Sequence, residues 1–300
     1  MKCMQCPRRC GADRHAGETG ICGASRGIRI ARIMLHAWEE PCLTRGAGSG
    51  AVFFSGCPLR CEYCQNRIIS RPHEAGGNPG KVFTADELAE ALLSLEADGA
   101  SNIDLVSPTQ YAGELFPVLR AIKDRLSIPI VWNTGGYENV ETIRAAAGLV
   151  DIFLTDFKYG TAETAALYSD APDYPQRAAE ALAAMVEGTG PLCFDGDWLT
   201  RGVIVRHLVL PGSRRDSMEA LRIVHRTVGT ESVLLSLMRQ YTPGFAPAHL
   251  RALSRRVTTF EYESVRETAL ALGFSGFSQD ADSASRAYTP DFTPNTKTTR

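Results

Sequence analysis

Three cysteines in one short stretch constrain this chain more than any other feature. Cys57, Cys61 and Cys64 stand in SGCPLRCEYCQN at the spacing C-x3-C-x2-C, directly after the apolar run AVFF. Three thiolates on one tight loop can hold three corners of a cubane iron–sulfur cluster and leave the fourth iron without a protein ligand. An iron with an open position can bind a small molecule, whereas a cluster with four cysteine ligands usually only carries electrons. The spacing therefore predicts a [4Fe-4S] site with one reactive corner.

The alternative for these cysteines is a zinc knuckle or a set of buried thiols. A zinc site normally closes with a fourth Cys or His at a similar spacing. No such residue follows Cys64 until His73, which lies in the irregular stretch RPHEAGGNPG. The ligand count therefore favours the cluster over zinc.

The composition is that of an ordinary soluble enzyme. The chain has 300 residues, of which 44% are hydrophobic, and can bury a full core. Its formal net charge of −2 provides no basic field for nucleic acid or an anionic membrane. No stretch is long and apolar enough to span a bilayer, and MKCMQCPRRC lacks the apolar core of a signal peptide. We expect no nucleic-acid partner, no membrane association and a cytoplasmic location, where nine cysteines serve metal rather than disulfides.

From Ala51 onward, strand-like apolar runs alternate with segments of helical spacing. The runs are VFF, IDLVS, IPIVWN, VDIFLTD, VIVRHLVLP and VLLSLM. The segment TADELAEALLSLEADGA opens with a capping-box pattern formed by Thr84 and Glu87. Six βα units predict an α/β fold, a partial (β/α)6 barrel that leaves one side open for a large substrate.

The pattern divides the chain into three parts. Residues 1–49 form a cysteine-rich metal-binding extension, residues 50–275 form the partial barrel, and residues 276–300 form a tail. The tail segment SQDADSASRAYTPDFTPNTKTTR is rich in Ser, Thr, Asp and Pro and has no apolar periodicity. Such a composition predicts disorder.

The extension carries four cysteines of its own, Cys3, Cys6, Cys10 and Cys22, at spacings x2, x3 and x11. They supply four soft ligands on a loop-rich segment that is too short to have a core. Metal binding would supply free energy for the folding of this segment. Zinc and an auxiliary iron–sulfur cluster are both compatible with four thiolates, and the spacing does not distinguish them.

Polar residues follow several of the apolar runs, where active sites of such barrels lie. These strand ends are Ser107-Pro108-Thr109-Gln110, Asn133-Thr134-Gly135-Gly136-Tyr137, Asp156-Phe157-Lys158 and Arg206-His207. We expect them to converge around the cluster loop. Two simpler interpretations stay open: the Asn–Gly segment can be a turn, and Asp156 with Lys158 can be an inward ion pair on one strand face.

The isolated Cys and His residues receive no catalytic role. We interpret Cys193 as a small, buried hydrophobic residue. Cys42 lies where the extension joins the barrel, and it is either a fifth ligand or a thiol near the substrate. We interpret His36 and His207 as hydrogen-bonded structural residues.

The loop CPLRCEYCQN, with an aromatic residue just before its last cysteine, resembles the cluster loop of the radical S-adenosylmethionine (SAM) enzymes. The likeness covers roughly residues 1–275 and is greatest to the pyruvate formate-lyase activating enzyme-like branch. The segments that carry it are CMQCPRRC, GETGIC, HAWEEPC, FFSGC, NTGGYE, DIFLTDFKY and IVRHLVLPG. The resemblance implies that SAM chelates the open iron and that an electron from the reduced cluster breaks its sulfonium bond. Methionine and a 5′-deoxyadenosyl radical result, and the radical abstracts hydrogen from a substrate.

The resemblance also implies roles for four strand-end residues. An Asp-x-Lys at this strand end of activating enzymes contacts the SAM methionine moiety, and it maps onto Asp156 and Lys158. Asn133 and Thr134 are similar to a Thr-Asn-Gly segment that would lie near the nucleoside or the substrate.

One segment departs from the family pattern. Many relatives carry a Gly-Gly-Glu-Pro stretch after the second strand that receives the SAM amino group, whereas here the corresponding segment is LVSPTQY. The contact to the amino group is therefore expected from Ser107 or Thr109.

The implied partners are an electron donor and a substrate. A low cluster potential is needed to reduce a sulfonium, which implies a flavodoxin or ferredoxin as the donor. The branch implies a protein substrate, a glycyl-radical enzyme such as pyruvate formate-lyase. The alternatives are a radical SAM maturase for another peptide or a small molecule, and a non-catalytic iron–sulfur or zinc-binding scaffold.

Overall fold

The computed structural model describes residues 2–72, 74 and 79–279. The strands are β1 Ile28–His36, β2 Ser49–Phe54, β3 Lys81–Phe83, β4 Ile103–Val106, β5 Ile130–Thr134, β6 Ile152–Asp156, β7 Cys193–Asp195, β8 Trp198–Leu208, β9 Leu234–Met238 and β10 Gly276–Ser278. The α-helices are α1 Arg67–Ser70, α2 Ala85–Ala97, α3 Ala112–Ile122, α4 Val140–Ala145, α5 Ala162–Ser169, α6 Tyr174–Thr189, α7 Arg214–Val228 and α8 Thr259–Leu272. Short 3-10 helices are Arg14–Ala16, Thr109–Tyr111, Lys123–Arg125 and Arg251–Ser254.

The strands form one mixed sheet in the order β10-β9-β8-β6-β5-β4-β2-β1-β3, with β7 paired to β8. The strands β2, β4, β5, β6, β8, β9 and β10 pair in parallel, whereas β1 is antiparallel to both β2 and β3. All six predicted strands are present, as β2, β4, β5, β6, β8 and β9. Within the described residues, β3 and β10 have a neighbour on one side only, so the predicted partial barrel is confirmed and does not close.

The register brings the carboxyl ends of the strands to one rim. Val106 at the end of β4 pairs with Asn133 of β5, and Asp156 at the end of β6 pairs with Arg206 of β8. Parallel strands that are matched in this way present the residues after each strand at the same edge of the sheet. The register therefore explains why the polar strand ends can meet.

Helix α2 shows how local sequence and packing agree. The Thr84 hydroxyl accepts the backbone N–H of Glu87 at 3.2 Å, and the Glu87 carboxylate accepts the N–H of Thr84 at 2.9 Å, which confirms the predicted capping box. Such a cap contributes about 1 kcal/mol. Behind it, Leu88 and Leu92 are fully buried against the barrel, and each buried leucine contributes roughly 1.5–3 kcal/mol.

The first residues of the chain, which we call the cysteine-rich segment (residues 2–24), are held by hydrogen bonds to the helix starts that follow β4 and β5. Asn139 Nδ2 donates to the Met4 carbonyl at 2.8 Å, and the Thr142 hydroxyl donates to the Gln5 carbonyl at 2.9 Å. The Gln5 side chain accepts the backbone N–H of Gly113 at 3.2 Å. The segment is thus attached to the starts of both α3 and α4.

The predicted boundaries fall as follows in the structure. β1, within the predicted extension of residues 1–49, pairs with β2 of the barrel. β10 occupies the first three residues of the predicted tail, and residues 280–300 of that tail lie outside the described residues, as does His73. Where the structure describes the chain, no helix is both long enough and apolar enough to cross a membrane.

Candidate active site

A cavity of about 250 Å³ opens at the carboxyl ends of the parallel strands. The loop that follows β2, residues 55–66, forms one wall of it and is called the cluster loop below. All three of its cysteines line the cavity, together with residues from the ends of β4, β5, β6, β8 and β9. The structure thus brings the cluster loop and the strand ends to one cavity.

The loop presents its sulfurs in a setting that suits a metal cluster. Burial, together with the charges of the neighbouring Cys61 and Cys64, raises the pKa of the Cys57 thiol to about 12. Burial also raises the pKa of Cys64, although the Ser70 hydroxyl, 3.4 Å from its sulfur, opposes this shift. Buried thiols of this kind ionise only when a cation compensates their charge, and iron would supply that charge. The donor set therefore fits a cluster held by three cysteines.

Asp156 and Lys158 form an ion pair on the cavity wall, with Lys158 Nζ 2.5 Å from Asp156 Oδ2. Burial would lower the pKa of Lys158, but the Asp156 carboxylate and then Cys61 outweigh it and raise the pKa. The Tyr174 hydroxyl fixes the turn beneath the pair, since it accepts the backbone N–H of Lys158 at 2.8 Å and donates to the Gly135 carbonyl at 2.9 Å. The ion pair that the sequence left open is present, and it faces the cavity.

Ser107 and Asn133 also line the cavity. Ser107 has a positive φ of 56°, which is rare outside glycine and is tolerated where the surroundings hold the backbone in place. Here the Ser107 N–H donates to the Asn133 carbonyl at 2.8 Å, and Gln110 Nε2 donates to the Ser107 carbonyl at 2.8 Å. Asn133 donates its amide to the buried Asp104 at 3.2 Å. Both predicted residues are therefore fixed at the cavity by their neighbours.

The two predicted threonines use their hydroxyls elsewhere. Both Thr109 and Thr134 donate to the carboxyl group of Glu138, a buried residue that the sequence analysis did not single out. Burial raises the pKa of Glu138 to about 7, although the two hydroxyls oppose the shift. Thr134 lines the main cavity, whereas Thr109 lines a much smaller neighbouring one. Thr109 is the one predicted cofactor-contact residue that the structure does not bring to the main cavity.

Arg206, from one of the predicted polar strand ends, meets two acidic residues that the sequence analysis did not single out as site residues. Arg206 donates to Glu39, and its Nε donates to Glu40 Oε1 at 2.7 Å. Asp104 lies beneath this group, and its pKa is raised well above the ordinary value by burial and by the charge of Glu39. Glu39 and Arg206 line the cavity. For the two acids, the available sequence signal was the pair of adjacent glutamates in HAWEEPC.

The two histidines differ in position. His207 is buried, its Nδ1 lies 2.6 Å from the Phe157 carbonyl, and burial lowers its pKa. This environment matches a neutral structural histidine. His36 lines the cavity, and its Nε2 lies 3.8 Å from Glu39 Oε1.

The four cysteines of the cysteine-rich segment lie together outside the cavity. Cys10 hydrogen-bonds to Cys3, and a Cβ built on Gly20 would lie within 3.4 Å of the sulfurs of both Cys22 and Cys10. Burial raises the pKa of Cys6 to about 12, and the charge of Cys22 adds to this shift. The four thiols therefore form one group.

Backbone amides point at three of these sulfurs. The N–H groups of Arg8, Ala12 and Ala24, each two residues after a cysteine, hydrogen-bond to the sulfurs of Cys6, Cys10 and Cys22. Hydrogen bonds to sulfur favour the thiolate, which is the form that binds metal. This arrangement suits metal ligands better than inert core thiols.

No ready site for a single metal ion exists within the described part of the chain, where no group of three or more His, Cys, Asp or Glu side chains is arranged to hold one. A cubane is several ångströms across, so its thiolates stand further apart than the ligands of one ion.

The remaining cysteines are separate from both groups. Cys42 is buried, its carbonyl accepts the N–H of Leu199 at 2.9 Å, and burial raises its pKa to about 12, whereas the sulfur of Cys193 accepts from Arg201 Nη2 at 3.2 Å.

Comparison with known proteins gives consistent results. The family model described as the Radical SAM superfamily matches residues 51–226. An uncharacterized protein of Methanocaldococcus jannaschii is 28% identical over 274 residues, which cover 89% of this chain and 74% of that protein.

Two solved structures share the fold. A radical SAM methyltransferase from Sphaerobacter thermophilus has a TM-score of 0.52 at 15% identity over 77% of this chain and 66% of that one. SuiB from Streptococcus suis, bound to its precursor peptide SuiA, has a TM-score of 0.51 at 12% identity over 75% of this chain and 46% of that one. The chain thus spans less than two thirds of the length of either structure.

Proposed function

Because this chain belongs to the radical SAM superfamily, we propose that it reductively cleaves SAM and uses the resulting 5′-deoxyadenosyl radical to abstract hydrogen from a substrate. One observation carries the proposal: the three cysteines of the cluster loop line the same cavity as the Asp156–Lys158 ion pair, and no other cysteine of the described residues lines it. The cavity lies at the carboxyl ends of parallel strands, which is where such barrels place their chemistry.

The residues of this cavity have distinct tasks in the proposal. Cys57, Cys61 and Cys64 hold the [4Fe-4S] cluster, which when bound supplies the electron that breaks the sulfonium bond. Lys158 binds the SAM carboxylate, and Asp156 keeps that ammonium charged and in place. Ser107 receives the SAM amino group, since it lines the cavity whereas the Thr109 hydroxyl is committed to Glu138.

Asn133 and Thr134 shape the far side of the SAM site. The Asn133 amide is fixed by Asp104, so it can present its oxygen toward the nucleoside or the substrate. Thr134 acts through its backbone, because its hydroxyl donates to Glu138. The cavity walls exclude water around the reacting atoms.

Anaerobic reconstitution with iron and sulfide, followed by reduction in the presence of SAM, tests the core of the proposal. The expected products are methionine and 5′-deoxyadenosine in equal amounts, measured by mass spectrometry. A protein that binds its iron fully and releases no 5′-deoxyadenosine would support the alternative of a non-catalytic iron–sulfur scaffold.

The finer proposal concerns the partners. A flavodoxin or ferredoxin delivers the electron, since reduction of a sulfonium requires a donor at the low end of the biological range. The hydrogen donor is a glycine of a glycyl-radical enzyme such as pyruvate formate-lyase, a proposal that the segments NTGGYE and DIFLTDFKY support by their resemblance to activating enzymes. Incubation with candidate enzymes should produce a glycyl-radical signal in electron paramagnetic resonance (EPR). Labelling of another peptide or small molecule instead would favour a maturase.

The cysteine-rich segment is proposed to bind a second metal, zinc or an auxiliary iron–sulfur cluster. The amide-to-sulfur hydrogen bonds at Cys6, Cys10 and Cys22 support this proposal. Analysis of zinc, iron and sulfide in the purified protein distinguishes the two metals.

A further inference from the structure

The cysteine-rich segment contacts the cluster loop directly through the backbone. The N–H of Cys57, the first cluster-loop cysteine, donates to the carbonyl of Cys22 at 3.0 Å. The preceding Gly56 has a φ of 87°, and a Cβ at this position would lie 2.5 Å from the Cys22 carbonyl oxygen. No side chain fits between the two loops. The position of Cys22 therefore determines where the cluster loop begins.

Arg8 connects the cysteine-rich segment to the next residues of the cluster loop. Its Nε donates to the Pro58 carbonyl at 2.9 Å, and its Nη2 donates to the Leu59 carbonyl at 3.2 Å. Nη2 also donates to the Ser169 carbonyl at 2.7 Å, and Nη1 donates to the Asp170 carbonyl at the end of α5. One guanidinium thus links three separate parts of the chain. A planar fork with five N–H donors can satisfy such a set of carbonyls, whereas an ammonium cannot hold the same geometry.

A second route from the segment to the cluster loop runs through Gln110. Arg14 donates to the Gln110 carbonyl, and Gln110 Nε2 donates to the carbonyls of Ser55 and Gly56 at 3.2 and 3.0 Å. These two residues directly precede Cys57. Residues 55–59 are therefore held on several sides by groups that belong to, or are held by, the cysteine-rich segment.

The cluster loop needs such support because its backbone is strained. Arg60, between the first two cluster-loop cysteines, has a positive φ of 56°. A non-glycine residue persists in this conformation only where its surroundings over-determine it. The carbonyls of Pro58 and Leu59, which Arg8 holds, immediately precede this strained residue, and Leu59 itself lines the cavity.

We propose that Arg8 is a positioning residue that holds the cluster loop in the geometry in which its three cysteines face the SAM cavity. The cysteine-rich segment then serves the reaction by ordering the loop from behind, without contacting SAM. The inference rests on the proposed function, because the loop is taken to hold the SAM-binding cluster.

The test compares Arg8→Ala, Arg8→Lys and a control, Arg9→Ala, in the full chain. Arg9 is the neighbouring arginine, and it is exposed and has a positive φ. Its truncation removes the same guanidinium group as Arg8→Ala but none of the hydrogen bonds to the cluster-loop carbonyls. Hydrogen exchange of residues 55–64, measured before the cluster is loaded, reports the order of the loop. Iron content, 5′-deoxyadenosine formation and the SAM-induced change in the EPR spectrum of the reduced cluster are measured after loading.

In both Arg8 variants, exchange of the loop amides should rise by about tenfold or more, the scale expected when a charge-assisted hydrogen bond is lost. The variants should bind iron, show a weakened SAM-induced change in the EPR spectrum, and form 5′-deoxyadenosine about tenfold more slowly. Arg9→Ala should match the wild type in every measurement.

Two results would overturn the inference. One is wild-type exchange and wild-type cleavage in Arg8→Ala. The other is wild-type behaviour of Arg8→Lys, because a positive charge without the planar guanidinium would then be enough to order the loop. If Arg8→Ala does not fold, Arg8→Lys still tests the inference. A wild-type protein that fails to cleave SAM would refute the proposed function, and the exchange measurement would still decide whether Arg8 orders the loop.

Discussion

The two groups of cysteines in this protein use the same ligand chemistry in opposite settings. The cluster loop offers three thiols to a cavity of about 250 Å³ at the carboxyl ends of the strands. The cysteine-rich segment gathers four thiols beside the starts of α3 and α4, and none of the four lines either described cavity. Three ligands leave a metal position for a small molecule, whereas four ligands close the coordination shell. In our proposals, the number of thiols and the presence of a cavity distinguish the reactive cluster from the second metal site.

The largest effect is expected when one thiol of the cluster loop is removed. Cys57→Ala, Cys61→Ala and Cys64→Ala should each abolish 5′-deoxyadenosine formation, because each removes one of only three protein ligands. The barrel should stay folded by circular dichroism. Cys193→Ala, which lies outside both groups, serves as the control and should keep wild-type activity. Cleavage in any of the three variants would contradict the assignment.

The next largest effect is expected at Lys158. Lys158→Ala should keep its cluster and bind SAM more weakly by about 1.5–3 kcal/mol, roughly ten- to a hundredfold in affinity. Lys123→Ala is a matched control, since Lys123 forms an equally short ion pair, 2.5 Å from Asp151, away from the cavity. We expect a lowered melting temperature and unchanged SAM affinity in the control. The same pattern in Lys158→Ala would show that its ion pair is only structural.

A smaller effect on chemistry is expected at the second group. The double variant Cys3→Ala/Cys6→Ala should lose one zinc ion or one auxiliary cluster and keep the iron of the cluster loop, because the two sets of thiols belong to separate loops. Zinc, iron and sulfide are measured in parallel with the wild type. Identical metal contents would count against a second site, and loss of all iron would show that the two sites are not separable.

The smallest effect concerns Glu138, the carboxyl group that joins the two threonines. Its pKa rises from 4.5 to about 7 on folding because it is buried. The folded state then binds the proton more tightly, so stability should fall as pH rises from about 4.5 to 7, by roughly 1–3 kcal/mol, and stay level above. Urea unfolding across this range checks it.

Glu138→Gln should remove the part of this dependence that comes from Glu138, because the amide does not ionise. Glu163→Gln, at an exposed position of α5, should keep it. A wild-type unfolding free energy that does not fall between pH 5 and 7 would show that the Glu138 carboxyl ionises as readily in the folded chain as in the unfolded one.

Much of the fold could be read from local patterns. Each of the six predicted strands is an apolar run that is buried on both faces. The capping residues of α2 indicate where that helix begins. The mixed edge was missed, because β1 and β3 join the sheet through antiparallel pairing that nothing in their own sequence specifies. Strand order depends on contacts between distant residues, which a local pattern does not contain.

The site divides in the same way. From the sequence alone, the C-x3-C-x2-C spacing predicts three thiol ligands on one loop, and the residues after each apolar run indicate which strand ends carry polar groups. Which of these polar groups reach the cavity depends on the tertiary structure, in which Thr109 donates to Glu138 while Ser107 lines the cavity. The tertiary structure alone also brought Arg8 to the carbonyls of the cluster loop, some fifty residues away along the chain. Such hydrogen bonds end on backbone carbonyls, which every residue possesses. The pattern of side chains along the sequence therefore does not indicate which carbonyls will be contacted.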